Sequence, residues 1–184
     1  WRFAVVGDTH VTATSSAVPA EIAAAILADS VDLVLVPGDL VEGGTGAASS
    51  RMENQLGAWQ GAMAPLYDAG VGVYPVRGNH EADVPGGAGA WTAAFTGRYA
   101  LPANGPGGET GFTYSFTSRN ALFVGLDDYV SLHLVNQAWL DAQLEANATR
   151  PHVFVFGHEP AFKAFHSDCL GSYPAERNTF WGSL

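Results

Sequence analysis

Basic residues are scarce in this chain. Lys and Arg total 8 against 18 Asp and Glu, a formal charge of −10, and Lys163 is the single lysine. So acidic a surface repels polyanions, which argues against a nucleic-acid binder or a protein docked on an acidic membrane, both of which need a basic footprint. Cysteine is nearly absent too. Cys169 stands alone, which excludes an intrachain disulfide and any multi-cysteine zinc site. No basic residue adjoins it to lower its pKa, so it reads as a small buried hydrophobe rather than a nucleophile. Long apolar runs are missing as well. Nothing approaches the roughly 20 residues of a membrane-spanning helix, and the longest candidates, Ala121–Leu126 and Val153–Phe156, have strand length. No signal peptide is visible. The first residue is Trp1 rather than Met, as expected of a chain whose leader, a secretory one for example, has been removed.

What is present suits one folded domain. The 184 residues are 47% hydrophobic, enough for a substantial core, while 22 Gly and 10 Pro predict long turns between short elements. The first half alternates strand and helix patterns, the mark of α/β units. Arg2–Val6 is a short apolar run, and Pro19 to Asp29 reads as a helix with Ile22, Ile26 and Leu27 on one face. Val31–Val36 is a continuous β-branched run, as in a strand buried on both faces. Ser50-Arg51-Met52-Glu53 has capping-box spacing. The helix after it sets Met52, Leu56, Trp59, Met63, Leu66 and Tyr67 on one core-facing stripe, Gly70 is placed to stop it, and Val71–Val76 is a third strand. The second half begins with a Gly/Pro loop, Pro102–Gly111. Phe112–Phe116 and Ala121–Leu126 then flank the turn Ser118-Arg119-Asn120 as a hairpin. A helix over Leu134–Asn147, a buried strand over His152–Phe156 and a helix over Pro174–Leu184 complete the expectation.

Four strands finish in polar clusters: Gly7-Asp8-Thr9-His10, Gly38-Asp39, Gly78-Asn79-His80 and Gly157-His158. The carboxyl ends of strands in open α/β sheets converge on the ligand site. Carboxylate, imidazole and amide oxygen without thiolate suit Zn, Mn, Fe or Co. Two carboxylates in one cavity repel unless a cation lies between them, and such cations would let so acidic a protein hold a phosphate. Asp8 and His10 are alternate residues whose side chains face opposite ways on a strand, so the backbone must already be turning if both bind one ion.

These clusters, in this order, together with Glu81, Phe156-Gly157-His158-Glu159-Pro160, Thr113-Tyr114-Ser115-Phe116, Phe123–Asp127 and Gln137-Ala138-Trp139-Leu140, resemble the calcineurin-like metallophosphoesterase superfamily. The resemblance is to its bacterial phosphatase and phosphodiesterase branch, similar in catalytic domain to the purple acid phosphatases, and runs from near residue 3 to the chain's last residue. It implies a four-layer α-β-β-α sandwich. It implies two metal ions, divalent or trivalent, with Asp8 and His10 on the first, Asp39 bridging, and Asn79 and His158 on the second. His80 matches the non-ligand histidine that contacts the substrate phosphate and assists the leaving group. The implied activity is hydrolysis of a small phosphomonoester or phosphodiester by a hydroxide held between the metals, attacking phosphorus in line. The superfamily's closing Gly-His-x-His, one histidine per metal, is lacking, so the expectation over 1–184 is a single sandwich domain incomplete at its C-terminus. The tyrosine ligand of plant-type purple acid phosphatases has no match either, so no iron-tyrosinate colour is expected. The branch, the start at Trp1 and the single lysine together suggest a secreted or periplasmic protein.

Each assignment has a plainer rival. Asp39 and Asn79 taken singly read as turn or cap residues, and His10 and His158 as satisfied core histidines. Glu81 and Glu159 read as solvated or capping carboxylates, Arg77 as a surface ion-pair partner. His133, His152 and His166 read as structural or surface residues, His166 in a loop able to rim the site. The rival for the whole chain is a non-catalytic scaffold or binding module that keeps the fold.

Overall fold

The computed structural model describes residues 1–163, 165 and 169–184. The chain divides into two compact units, Trp1–Leu101 and Pro102–Leu184. In the first, β1 (Phe3–Val5), β2 (Leu33–Pro37) and β3 (Gly72–Val76) form a parallel sheet in the order β1-β2-β3. The helices between them are α1 (Ala17–Ala28) and α2 (Ser49–Asp68), and α3 (Asn79–Ala82) and α4 (Gly87–Ala94) follow β3. Leu33 to Val36 are all buried, as a run apolar on both faces requires. The stripe on α2 is core: Met52, Leu56, Trp59, Met63 and Leu66 are sealed from solvent, while Tyr67 is only half-buried. α2 packs against α1, α4 and β3.

Some local expectations shift. α2 begins at Ser49 with Ala48 as its N-cap and no side-chain cap bond, so Ser50 and Glu53 do not close a capping box. The helix starts two residues too early for the Ser50 hydroxyl to stand at the cap. α1 begins at Ala17, putting Pro19 inside its first turn, where the missing amide costs no helical bond.

The second unit is a mixed sheet in the order β4 (Tyr114–Ser118), β5 (Ala121–Gly125) and β6 (His152–Phe156), with α5 (Gln137–Ala146) between β5 and β6 and α6 (Pro174–Ser183) after them. β4 and β5 are the expected hairpin, closed by Arg119 and Asn120 between the paired Ser118 and Ala121. Phe116, Phe123 and Phe154 lie in register across the strands, their rings stacked at 5.0 and 5.1 Å. Leu122, Val124, Leu126, Leu140, Leu170 and Phe180 form the core, with Trp139, Leu144 and Val155 packed on it. β6 departs from expectation. It is an edge strand with His152 and Val153 exposed, because only β5 pairs with it among the described strands. α6 buries Phe180 but leaves Trp181 exposed, as it does Leu184 beyond the helix end. Cys169 is buried. Among the described residues, no helix is long and apolar enough to cross a membrane.

Candidate metal centre

The segments leaving β1 and β2 run side by side past the ends of their strands. Asp8 N donates to Gly38 O at 3.1 Å, His10 N to Asp39 O at 3.1 Å, Val11 N to Leu40 O at 2.9 Å and Glu42 N to Val11 O at 3.1 Å. The Thr9 hydroxyl adds a bond to Leu40 O at 2.8 Å. These bonds fix Asp8 and His10 against Asp39. The backbone at all three is left-handed, with φ of 53°, 42° and 53°. Non-glycine residues adopt that region seldom, and such strain concentrates at functional sites. It also resolves the alternation problem, since a left-handed turn at each residue breaks the two-residue period that would send Asp8 and His10 to opposite faces.

The result is a group of potential ligands within the first unit. His10, Asp39 and His80 each bring a ligand atom within 4.8 Å of the others, and Asp8 and Asp39 bring carboxylate oxygens equally near. His10 Nε2 lies 3.7 Å and His80 Nε2 3.9 Å from Asp39 Oδ2. The two imidazoles meet edge to face at 4.4 Å. Asp39 is 3% exposed, and two carboxylates this close favour a cation between or beside them.

Asp39 is held from behind. Its Oδ1 accepts from His80 N at 3.0 Å, and Gly78 lies so near that an added Cβ would overlap its carboxylate. Glu81, expected as a solvated or capping carboxylate, is entirely buried rather than solvated, and it does cap the start of α3 at Gly78. Its carboxylate accepts from Asp39 N at 3.1 Å, Val41 N at 3.0 Å and Gly78 N at 2.8 Å, clamping the ends of β2 and β3 together. Burial pushes the Glu81 carboxyl up to about 7, against the pull of the Gly78, Val41 and Asp39 amides. Arg77, expected at the surface, is also buried, because it lies on the short link between β3 and this clamp.

His80 is oriented by Glu42, a residue that no motif in the sequence marks. Its Nδ1 meets the Glu42 carbonyl. A carbonyl only accepts, so Nδ1 carries the proton and Nε2 faces Asp39. Desolvation opposes protonation of His80, but the Glu42 carbonyl and the Asp39, Glu81 and Glu42 charges outweigh it and raise its pKa. The Glu42 carboxylate lies 4.0 Å from His10 Nδ1.

The remaining predicted residues sit as follows. Asn79 is the half-buried first residue of α3. In the second unit, His158 follows β6 and Gly157, half-buried, its ring 6.4 Å from that of Tyr129. The turn carrying it is fixed by buried Asp128, whose Oδ2 accepts from Glu159 N at 3.2 Å. Glu159 is buried rather than solvated, and its Oε1 meets His133 Nδ1 at 2.6 Å. His133 is thus a structural histidine, and His152 is exposed on β6. His166 lies outside the described residues. The acidic pair Asp127-Asp128, directly after an apolar strand, was the available signal for Asp128. Nothing in the sequence marked Glu42, which acts through its carbonyl.

Parallel strands whose ends gather histidine and aspartate are an α/β scaffold for a metal ion. The chain belongs to the calcineurin-like phosphoesterase family, which it matches over residues 2–180. No curated protein matches it. Among solved structures it is similar to a dimetal phosphatase from Danio rerio, with a TM-score of 0.68 and 17% identity over 99% of this chain and 76% of that one. At that identity the likeness speaks for the fold.

Proposed function

We propose that this chain is a phosphoester hydrolase dependent on two metal ions, acting on a phosphomonoester or phosphodiester. The observation that carries the reading is the group in the first unit, where Asp8, His10, Asp39 and His80 converge through three left-handed residues at hydrogen-bonded strand ends. The donor set fits the group: imidazole nitrogen and carboxylate oxygen, without sulfur, suit Zn, Mn, Fe or Co. Asp8, His10 and Asp39 would hold one ion, and Asp39, Asn79 and His158 the second, as the family resemblance suggests. When bound, the ions make water nucleophilic near neutral pH and offset the charge of the phosphate.

The chain's own part is positional and electrostatic. Glu81 and Gly78 keep the Asp39 carboxylate from swinging away. Glu42 holds the His80 ring by Nδ1, which leaves Nε2, beside Asp39, free to carry a proton to a substrate bound there. The water gives up a proton to solvent as its oxygen forms a bond to phosphorus, the bond from phosphorus to the leaving oxygen breaks, and that oxygen takes the proton from Nε2, which solvent then restores. Such general acid catalysis is typically worth about 10²–10⁴ in rate. The four-layer sandwich, the bacterial branch similar to purple acid phosphatases and a secreted or periplasmic location belong to the same proposal.

The test is metal analysis of the purified protein, then hydrolysis of nitrophenyl phosphate and bis-nitrophenyl phosphate after loading with Zn, Mn, Fe or Co. Bound metal with turnover of either ester supports the reading. A protein that takes up none of these metals and cleaves neither ester would be a binding module on the same fold.

A further inference from the structure

Beside the candidate metal centre, the first unit carries a polar pocket lined by Thr12, Thr14, Ser50, Arg51, Asn54 and Gln55. We infer that this pocket binds an oxyanion carried by the leaving group of the substrate, a second phosphate or a carboxylate; this rests on the phosphoester reading above. Four observations support it.

Apart from Ala13, every lining side chain carries a donor. The pocket offers hydroxyls, side-chain amides and one guanidinium, and no carboxylate lines it, although acids outnumber bases by 18 to 8 in the whole chain. Arg51 is exposed and takes part in no ion pair among the described residues. Guanidinium binds carboxylate and phosphate with paired hydrogen bonds, so an uncommitted arginine in a donor-rich pocket selects anions.

Gln55 supplies the second, independent sign. It is 1% exposed, and its Oε1 accepts from Gly43 N at 3.1 Å, which settles the orientation of the amide. The Nε2 hydrogens have no partner among the described residues. Nε2 is not sealed from solvent, so it stands as an open donor in the pocket that Gln55 lines.

The third observation is the start of α2. Ala48 provides no side-chain cap, and its carbonyl takes the amides of Arg51 and Met52. The amides of Ser49 and Ser50 have no partner among the described residues, which adds the positive end of a 20-residue helix to the same pocket. The fourth is continuity with the metal centre. Thr12 lies two residues beyond His10, and Gln55 holds Gly43, the neighbour of the Glu42 that orients His80. A phosphoester with its phosphate at His10 and His80 would extend its leaving group along this wall.

The experiment compares carboxyphenyl phosphate with phenyl phosphate in the metal-loaded wild-type protein, Arg51→Ala and Arg51→Lys. The expected result is a wild-type kcat/KM ratio favouring the carboxylated ester. That ratio should fall about tenfold or more in Arg51→Ala and partly recover in Arg51→Lys, as loss of a charge-assisted contact requires. An unchanged ratio would overturn the inference. A second arm needs no activity: with EDTA present, inorganic phosphate should raise the thermal midpoint of the wild-type protein but not of Arg51→Ala. If neither ester is cleaved and this Arg51-dependent shift persists, the hydrolase reading fails while the anion site stands, as a site for free phosphate. If esters are cleaved but neither the ratio nor the shift depends on Arg51, the site fails and the hydrolase reading stands.

Discussion

Asp39 is where the strand-end network concentrates. It pairs with both histidines, faces Asp8, takes a bond from the His80 amide and has its own amide held by Glu81. Replacing it with alanine removes the shared ligand and leaves the Glu81 clamp intact. Asp39→Ala is therefore expected to fold and to lose both metal ions and turnover, read by metal analysis and ester hydrolysis; a variant with full metal content and full rate would sink the assignment. His80→Ala separates the roles further. On the proposed reading it keeps its metal and loses rate, most for esters with poor leaving groups, whose departing oxygen most needs a proton. Loss of metal together with rate would instead make His80 a ligand, as its place beside His10 and Asp39 also allows. The sequence pointed to these residues because each stands just past a strand, Asp8 and Asp39 directly after a glycine. It offered Glu81 only as a solvated or capping carboxylate and was silent on Glu42, because their work is done through hydrogen bonds to or from backbone, which no residue pattern advertises.

Elements deliver these side chains by their ends. The parallel strands were readable from unbroken apolar runs such as Leu33–Val36, and α2 from the spacing of Met52, Leu56, Trp59, Met63 and Leu66. Trp59 has no solvent exposure, so Trp59→Ala should destabilise the protein by about 3–5 kcal/mol, seen as a lower midpoint in denaturant. What the pattern missed were matters of context. β6 looks buried because His152–Phe156 is apolar, yet burial depends on what pairs beside it, and among the described strands only β5 does. The capping-box spacing at Ser50 and Glu53 was present, but the start of α2 at Ser49 put it out of phase. Gly78 tests the joint between β3 and α3. A methyl group there overlaps the Asp39 carboxylate, and overpacking of this kind costs about 1–3 kcal/mol. Gly78→Ala should thus lower the thermal midpoint by several degrees and weaken metal retention, whereas Gly89→Ala, with nothing near the new methyl, should leave retention unchanged.

At the scale of the whole molecule, charge decides the behaviour. With a formal −10, the chain gathers aspartates at one site, and cations bound there would relieve repulsion in the native state alone. Chelation is expected to lower stability accordingly. A ligand at one hundred times its dissociation constant contributes about 2.7 kcal/mol, so EDTA should reduce the thermal midpoint by roughly 5–10 °C for a chain of this size. Adding back the cognate metal should restore it, and a midpoint indifferent to EDTA in metal-loaded protein would remove the centre from the account of stability. The α/β alternation and the hairpin of the second unit followed from periodicity. The grouping of side chains did not, since it depends on left-handed turns at Asp8, His10 and Asp39 that the residue types permit without requiring.

The lone thiol offers a practical handle. Cys169 is 2% exposed, so a chromogenic disulfide reagent should be excluded until the surrounding structure opens. Its labelling rate would then time that opening with no engineered probe, and because no other sulfhydryl exists in the chain, the colour would report one location only.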